Sequence, residues 1–427
     1  MSKSKLNDII AAIKAVNEEI HISKIKVGDI VEHDESITEW DIRKLGGLNS
    51  IKSSKFPEED KDLVGTSNLK KTNSYIKKLE TQLGNKLSLQ EELTKVVEAN
   101  VQPLGRIPFK KHKSVKGSLR REVVAMLNDT HVGLIVDPEE IGELNSFDFK
   151  EAGRRFAYFI KEVADYKPHV RSEVKKLHLI LNGDMIAGII HGLDTKGIHL
   201  LIHQKNALFH ILTHGITFLA QEFKDIEVHG IAGNHCRAVH KGHGQRPVSE
   251  IYDSLVNDVF YGISVAFRNN PRIGFNFPKT PYGFINLPGG RAMFAHGDHV
   301  FSKAIGNVGT AINVKALSIA IKNFNSGEVV KGNAPIKLLL LGHVHCYAHF
   351  ITDDDVEVYI APSLSGADSY SHSLTINTNF AAQVVFESTP EFILGDSRLI
   401  RVLKADKLSE LDKIIPTYNK ELKWIKS

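Results

Sequence analysis

The chain has 427 residues, 42% of them hydrophobic, and a formal net charge of +4, which suits one large α/β core with a smaller appendage and excludes a fibrous or disordered chain. No apolar run approaches the roughly 18 to 20 residues that span a bilayer, and the opening MSKSKLNDII lacks a secretory pattern, so a cytoplasmic protein without membrane contact is expected. The two cysteines, Cys236 and Cys346, exclude a disulfide framework and a CxxC zinc site; with 21 histidines, a bound metal would take imidazole, carboxylate and amide donors, which suit manganese, iron, zinc or magnesium.

Residues 1–105 read as a small domain of short helices. Leu6 to Ile20 has apolar residues at helical spacing, Ser88-x-x-Glu91 is a capping box, and Thr38 to Ser54 pivots on Gly46-Gly47 in the outline of a helix-turn-helix, an outline that many small helical domains share. Residues 1–122 carry a net +5 and the rest of the chain −1. The densest basic piece, Arg106 to Arg121, holds seven Lys or Arg and no acidic residue, and forms a linker, 106–121, that is either simply solvated or a contact for a phosphate backbone.

From Glu122 the rhythm becomes strand, helix, strand. The segments EVVAMLND, KLHLILNGD, IEVHGIAGNH, GRAMFAHGDH and IKLLLLGHVH are apolar strands that run into polar tips; Asp148-x-x-Glu151 caps a helix to about Ala164, and a longer helix spans about Leu200 to Phe223. The tips are Asp129-Thr-His131, Gly183-Asp184, Gly233-Asn234-His235, His296-Gly-Asp298 and Gly342-His343-Val-His345. A lone histidine at a strand end is usually a hydrogen-bonded structural residue, and Gly-Asp usually a turn. Five such tips in succession are expected to meet at one edge of a sheet, because reactive groups in open α/β sheets collect where strands end. The catalytic domain is placed at 122–400, followed by a tail, 401–427, whose helical spacing breaks at Pro416 and which either covers the core or joins subunits into a homo-oligomer.

Over about residues 122–390 this order of motifs resembles the calcineurin-like metallophosphoesterases, with their DxH, GD, GNH, separate His and GHxH signature; GNHCR and the stretch APSLSGADSYSHSL…AAQVVF resemble a phage-encoded, nuclease-like branch. The resemblance implies a β-sandwich flanked by helices, here with a small N-terminal helical domain. It also implies two divalent metal ions, manganese foremost. One would take Asp129, His131, Asp184 and His345; the other would take Asp184, Asn234, His296 and His343, with Asp184 bridging. Two such cations about 3.5 to 4 Å apart repel, so an anionic carboxylate and a hydroxide belong between them, and that bridging hydroxide is the expected nucleophile.

In the family the histidine of GNH, here His235, faces the substrate, where it stabilises the phosphate or protonates the leaving oxygen. Arg237, Lys241 and His243 follow in the same loop, either holding a phosphate or remaining solvated; His191 and Asp194 lie beyond Asp184 and are candidates to line the cleft. Two features depart from relatives. Cys236 stands where many members have an acidic residue, and Ala187 and Gly188 stand where protein phosphatases carry an Asp and an Arg. His235 must therefore be oriented by another group, Asp194 or a backbone carbonyl, and a phosphoprotein phosphatase is disfavoured. The expected activity is a two-metal phosphodiesterase cleaving DNA. The alternatives are a phosphomonoesterase acting on nucleotides or phosphoproteins, and a binding module with a vestigial site.

Overall fold

The computed structural model describes residues 3–17, 25–34, 36–38, 42, 48, 94–110, 120–169, 174–190, 197–238, 254–309, 311–374 and 380–402. The chain divides into two compact units, Met1–Glu92 and Leu93–Ser427. In the first, helices α1 (Lys3–Asn17) and α2 (Val27–His33) enclose a small aliphatic core of Ile9, Ile13, Ile25, Ile30, Ile37, Ile42 and Leu48. Most of Thr38 to Ser54 and the Ser88 capping box lie outside the described residues, as do 111–119 of the basic linker and all of the tail beyond Val402.

The second unit is a sandwich of two sheets. Strands β1 (Arg121–Asn128), β2 (Val174–Asn182), β3 (Ile226–Ile231) and β4 (Ile273–Asn276) run parallel; on the β1 side β10 (Ala382–Ser388) pairs antiparallel with β1 and β11 (Ser397–Arg401) antiparallel with β10, giving the order β11-β10-β1-β2-β3-β4. The other sheet orders β5 (Tyr282–Leu287), β6 (Gly290–Ala295), β7 (Ile336–Leu341), β9 (Glu357–Ile360) and β8 (Ala348–Ile351) as β5-β6-β7-β9-β8, with β6, β7 and β9 mutually parallel.

Strand periodicity explains the layers. Side chains alternate across a sheet, so Val124 and Met126 of β1 meet Phe294, Leu338 and Leu340 between the sheets, while Val123, Ala125 and Leu127 pack on the other side against helices α3 (Phe149–His169), α4 (Leu201–Glu222) and α5 (Asn257–Ala266). The outer face of the second sheet packs Leu339, Leu341 and Val358 against Leu317 and Ile321 of α6 (Val314–Val330). Both faces of the central strands are covered, which is why β1 and β7 read as nearly unbroken apolar runs. The Asp148 carboxylate accepts the Glu151 backbone N–H at 2.7 Å and caps α3, which runs past Ala164 to His169. Val101, Leu104 and Ile107 pack against the core beneath the first sheet, and Leu104 N–H donates to Ala266 O, so the stretch that leads into the basic run, with the run's first residues, belongs with the sandwich. Among the described residues no helix is long and apolar enough to cross a membrane.

Candidate metal centre

The polar tips follow β1, β2, β3, β6 and β7, and the structure brings them together. Asp129 and His131 follow β1, Asp184 follows β2, Asn234 and His235 form a 3-10 turn after β3, His296 follows β6, and His343 and His345 follow β7. Eight non-glycine residues among those described have positive φ, and five of them are here: Asp129, His131, Asp184, His343 and His345. Such backbone is uphill for L residues and persists where the surroundings over-determine it; it commonly gathers at functional sites.

Two overlapping sets of donor atoms result. Asp129, His131 and His345 form one, with the His131 and His345 Nε2 atoms 3.1 Å apart and Asp129 Oδ1 3.8 Å from His345 Nε2. Asp184, His296 and His343 form another; His296 Nε2 lies 3.1 Å from Asp184 Oδ2 and 3.1 Å from Asn234 Oδ1. Asp184 also groups with His131 and His235, so it stands between the two sets. Two glycines permit this crowding. A Cβ on Gly183, whose φ is +81°, would lie 2.1 Å from His296 Nδ1, and one on Gly233 would lie 2.2 Å from Asp184 Oδ1.

The donor chemistry fits divalent cations. Asp129 is fully buried, and its Oδ1 has no hydrogen-bond partner, while Oδ2 accepts the His343 backbone N–H at 3.0 Å. An orphaned buried carboxylate oxygen is unfavourable unless a cation meets it. Burial holds the imidazoles of His131, His343 and His345 below their ordinary range, His343 to about 3, which leaves them neutral with lone pairs free to ligate. Burial also opposes charging His296, yet the Asp184 and Asp129 carboxylates beside it raise it to about 10. The electrostatics of this spot therefore call for positive charge.

His235 donates its backbone N–H to Asp184 Oδ1 at 2.8 Å, and its ring Nδ1 lies 3.0 Å from the carbonyl of Ala187. A backbone carbonyl thus orients the ring, at one of the positions where protein phosphatases use side chains. Gln204, fully buried on α4, holds both the N–H and the carbonyl of neighbouring Gly188 and fixes that loop. Arg237 turns to Asp298, Nη2 to Oδ2 3.2 Å, with His299 Nε2 3.5 Å from the same oxygen. Asp298 thus anchors a cation at the rim. Cys236 is buried and its thiol pushed up to about 12, chiefly by burial, consistent with a small hydrophobe. His191, Asp194, Lys241 and His243 lie outside the described residues.

Sequence reading missed the support behind the ligands. Gln383 on β10 accepts the Asn128 backbone N–H at 2.6 Å and donates to the Asn128 carbonyl, fixing the residue before Asp129. The fully buried Arg155 guanidinium donates to the carbonyls of Leu364 and Ser365, and Leu364 N–H in turn reaches the carbonyls of Asn128 and Asp129. The Gln in AAQVVF, a lone amide in an apolar strand, was the visible signal for the first of these.

No family model and no curated protein matches the sequence. Among solved structures, the chain is similar to a predicted phosphoesterase of Streptococcus pneumoniae TIGR4 at 9% identity, covering 66% of this chain and 99% of that one with a TM-score of 0.25. It is similar to the phosphopantetheinyl hydrolase of Mycobacterium tuberculosis at 12% identity, over 58% of this chain and 91% of that one, TM-score 0.26. A dimetal phosphatase of Danio rerio aligns at 8% identity over 66% of this chain and 99% of that one, TM-score 0.31.

Proposed function

We propose that the chain is a two-metal phosphodiesterase acting on DNA. The observation that carries the metal-dependent reading is the convergence of Asp129, His131 and His345 on one point and Asp184, His296 and His343 on the next, with Asn234 against His296 and Asp184 between the sets. Two divalent cations held there, manganese foremost, would polarise phosphoryl oxygens and supply a nucleophile from water near neutral pH.

The chain's own groups account for the rest. His235, oriented by the Ala187 carbonyl, is the candidate to donate a proton to the departing oxygen. Arg237, held by Asp298, offers a guanidinium for a phosphate oxygen. Although burial opposes it, the imidazoles of His296, His235 and His131 hold the Asp184 carboxylate well below its ordinary range, so it offers a negative charge to cations. The DNA reading rests on the +5 charge of residues 1–122 and the acid-free run Arg106 to Arg121. Within that run Lys110 pairs with Glu222, a contact that a phosphate would have to displace.

The decisive assay incubates the purified protein and manganese with labelled linear and circular DNA beside a phosphomonoester. Cleavage of DNA with little phosphate release supports the reading; release of phosphate alone replaces it with the phosphomonoesterase. Changing Lys110, Lys111, Lys113 and Lys116 to Ala should flatten the log-log salt dependence of DNA binding by up to about three to four units, at about 0.9 per duplex phosphate contact, while aryl phosphodiester hydrolysis persists. An unchanged slope makes the run a linker.

A further inference from the structure

A second imidazole–carboxylate cluster sits at the other end of the same strands. Glu122 on β1, Lys176 and His178 on β2, Glu227 and His229 on β3 and Asn276 on β4 occupy register positions whose side chains face the second sheet. His178 precedes Asp184 by six residues, about 20 Å of strand, so this cluster is separate from the first. It borders a cavity of about 250 Å³ lined also by Arg120 and Asn286.

His178 Nδ1 and His229 Nε2 face each other at 3.0 Å, and a Glu227 carboxylate oxygen lies within 4.8 Å of an imidazole nitrogen of each. The outer nitrogens are both engaged. His178 Nε2 lies 2.9 Å from the Glu122 carboxylate, which Arg120 also binds, and His229 Nδ1 lies 3.2 Å from Asn276 Nδ2. A ligating histidine typically gives its other N–H to a carboxylate or amide oxygen, which aims the inner lone pair at the metal. Glu122 does this for His178; Asn276 presents its nitrogen to His229, and turning that amide over about its last bond would place its oxygen to accept the ring N–H. The 3.0 Å approach of two inner nitrogens repeats the 3.1 Å approach of His131 and His345 in the first centre.

We propose that His178 Nδ1, His229 Nε2 and the Glu227 carboxylate form a third divalent-metal site, of the zinc class, with Glu122 and Asn276 orienting the imidazoles and the cavity leaving the fourth position to water. Two imidazoles and one carboxylate with an open position are a zinc donor set. Lys176, which donates to Glu227 Oε2 at 2.7 Å and whose side chain is 36% exposed, swings into solvent when the ion takes the carboxylate. The ion ties β2 to β3 directly, and β1 and β4 through the orienting residues.

The test uses full-length protein stripped with chelator, reloaded with Zn²⁺ and counted by elemental analysis after gel filtration, with Co²⁺ absorption as a second readout. The wild type should hold three ions, and His229→Gln and Glu227→Gln two each, with aryl phosphodiester hydrolysis unchanged. Asp184→Asn disrupts the other centre and should still hold one, so failure of the dimetal reading and failure of this one give different stoichiometries. Glu122→Gln should weaken binding at this site about 10- to 100-fold while the fold stays intact by circular dichroism. Equal ion counts and identical Co²⁺ spectra in wild type, His229→Gln and Glu227→Gln would leave only a hydrogen-bonded relay and overturn the proposal.

Discussion

The two ends of strands β1 to β3 both gather histidines and carboxylates, yet they are built in opposite ways. At the carboxyl ends the candidate donors sit in turns, five of them on positive-φ backbone, and Gly183 and Gly233 admit contacts no side chain would allow. At the amino ends Glu122, His178 and His229 lie in the ladder itself, in ordinary strand register with none of that backbone. A ladder places neighbouring side chains at fixed spacing at no conformational expense; turns can converge from strands of two different sheets, and strain is the consequence. The difference teaches that donors can meet across a ladder without special backbone, whereas bringing seven side chains from two sheets together needs turns that tolerate nothing else.

If that is right, substitutions at the carboxyl ends should have the larger effects. Asp184→Asn should remove the shared carboxylate, weaken both ions of that centre and abolish hydrolysis; a metal count equal to the wild type's with intact activity, by elemental analysis and assay, would dissolve the contrast. His235→Ala should retain both ions but slow cleavage of a poor leaving group by roughly two to four orders of magnitude, and an activated aryl phosphodiester by less. An equal loss on both substrates would point to phosphate positioning instead. Gly233→Ala forces a methyl group against Asp184 and should destabilise by about 1 to 3 kcal/mol in denaturant titration, with a rate loss of about 10²-fold from the displaced carboxylate. The smallest effect belongs to the ladder: Lys176→Ala removes a part-exposed ion pair and should shift stability by less than about 1 kcal/mol, leaving the rate alone. A larger rate effect there would mean that the two ends are coupled.

Legibility in the sequence followed the same division. The five tips were readable because each places its polar residues directly after an apolar strand, so local pattern and final position coincide. His178 and Glu227-x-His229 were not singled out, since a lone histidine inside a strand reads as structural; only register shows that β2 and β3 bring them together. The place of β10 between β1 and β11 was equally hidden, because antiparallel pairing across more than 250 residues leaves no local trace. Arg237 was marked for its charge, but its partner Asp298 follows a strand of the other sheet, and no spacing rule connects them.

That position of β10 bears on the order in which the protein can come to life during synthesis. β1 is an inner strand only when β10 covers it, and the amide that fixes Asn128 belongs to Gln383. A nascent chain that has emerged only as far as His345 carries every proposed ligand, yet β1 is still an open edge and the turn bearing Asp129 lacks its brace. Pairings so distant in sequence form late. A centre braced this way is complete only once β10, the strand that carries Gln383, has been made.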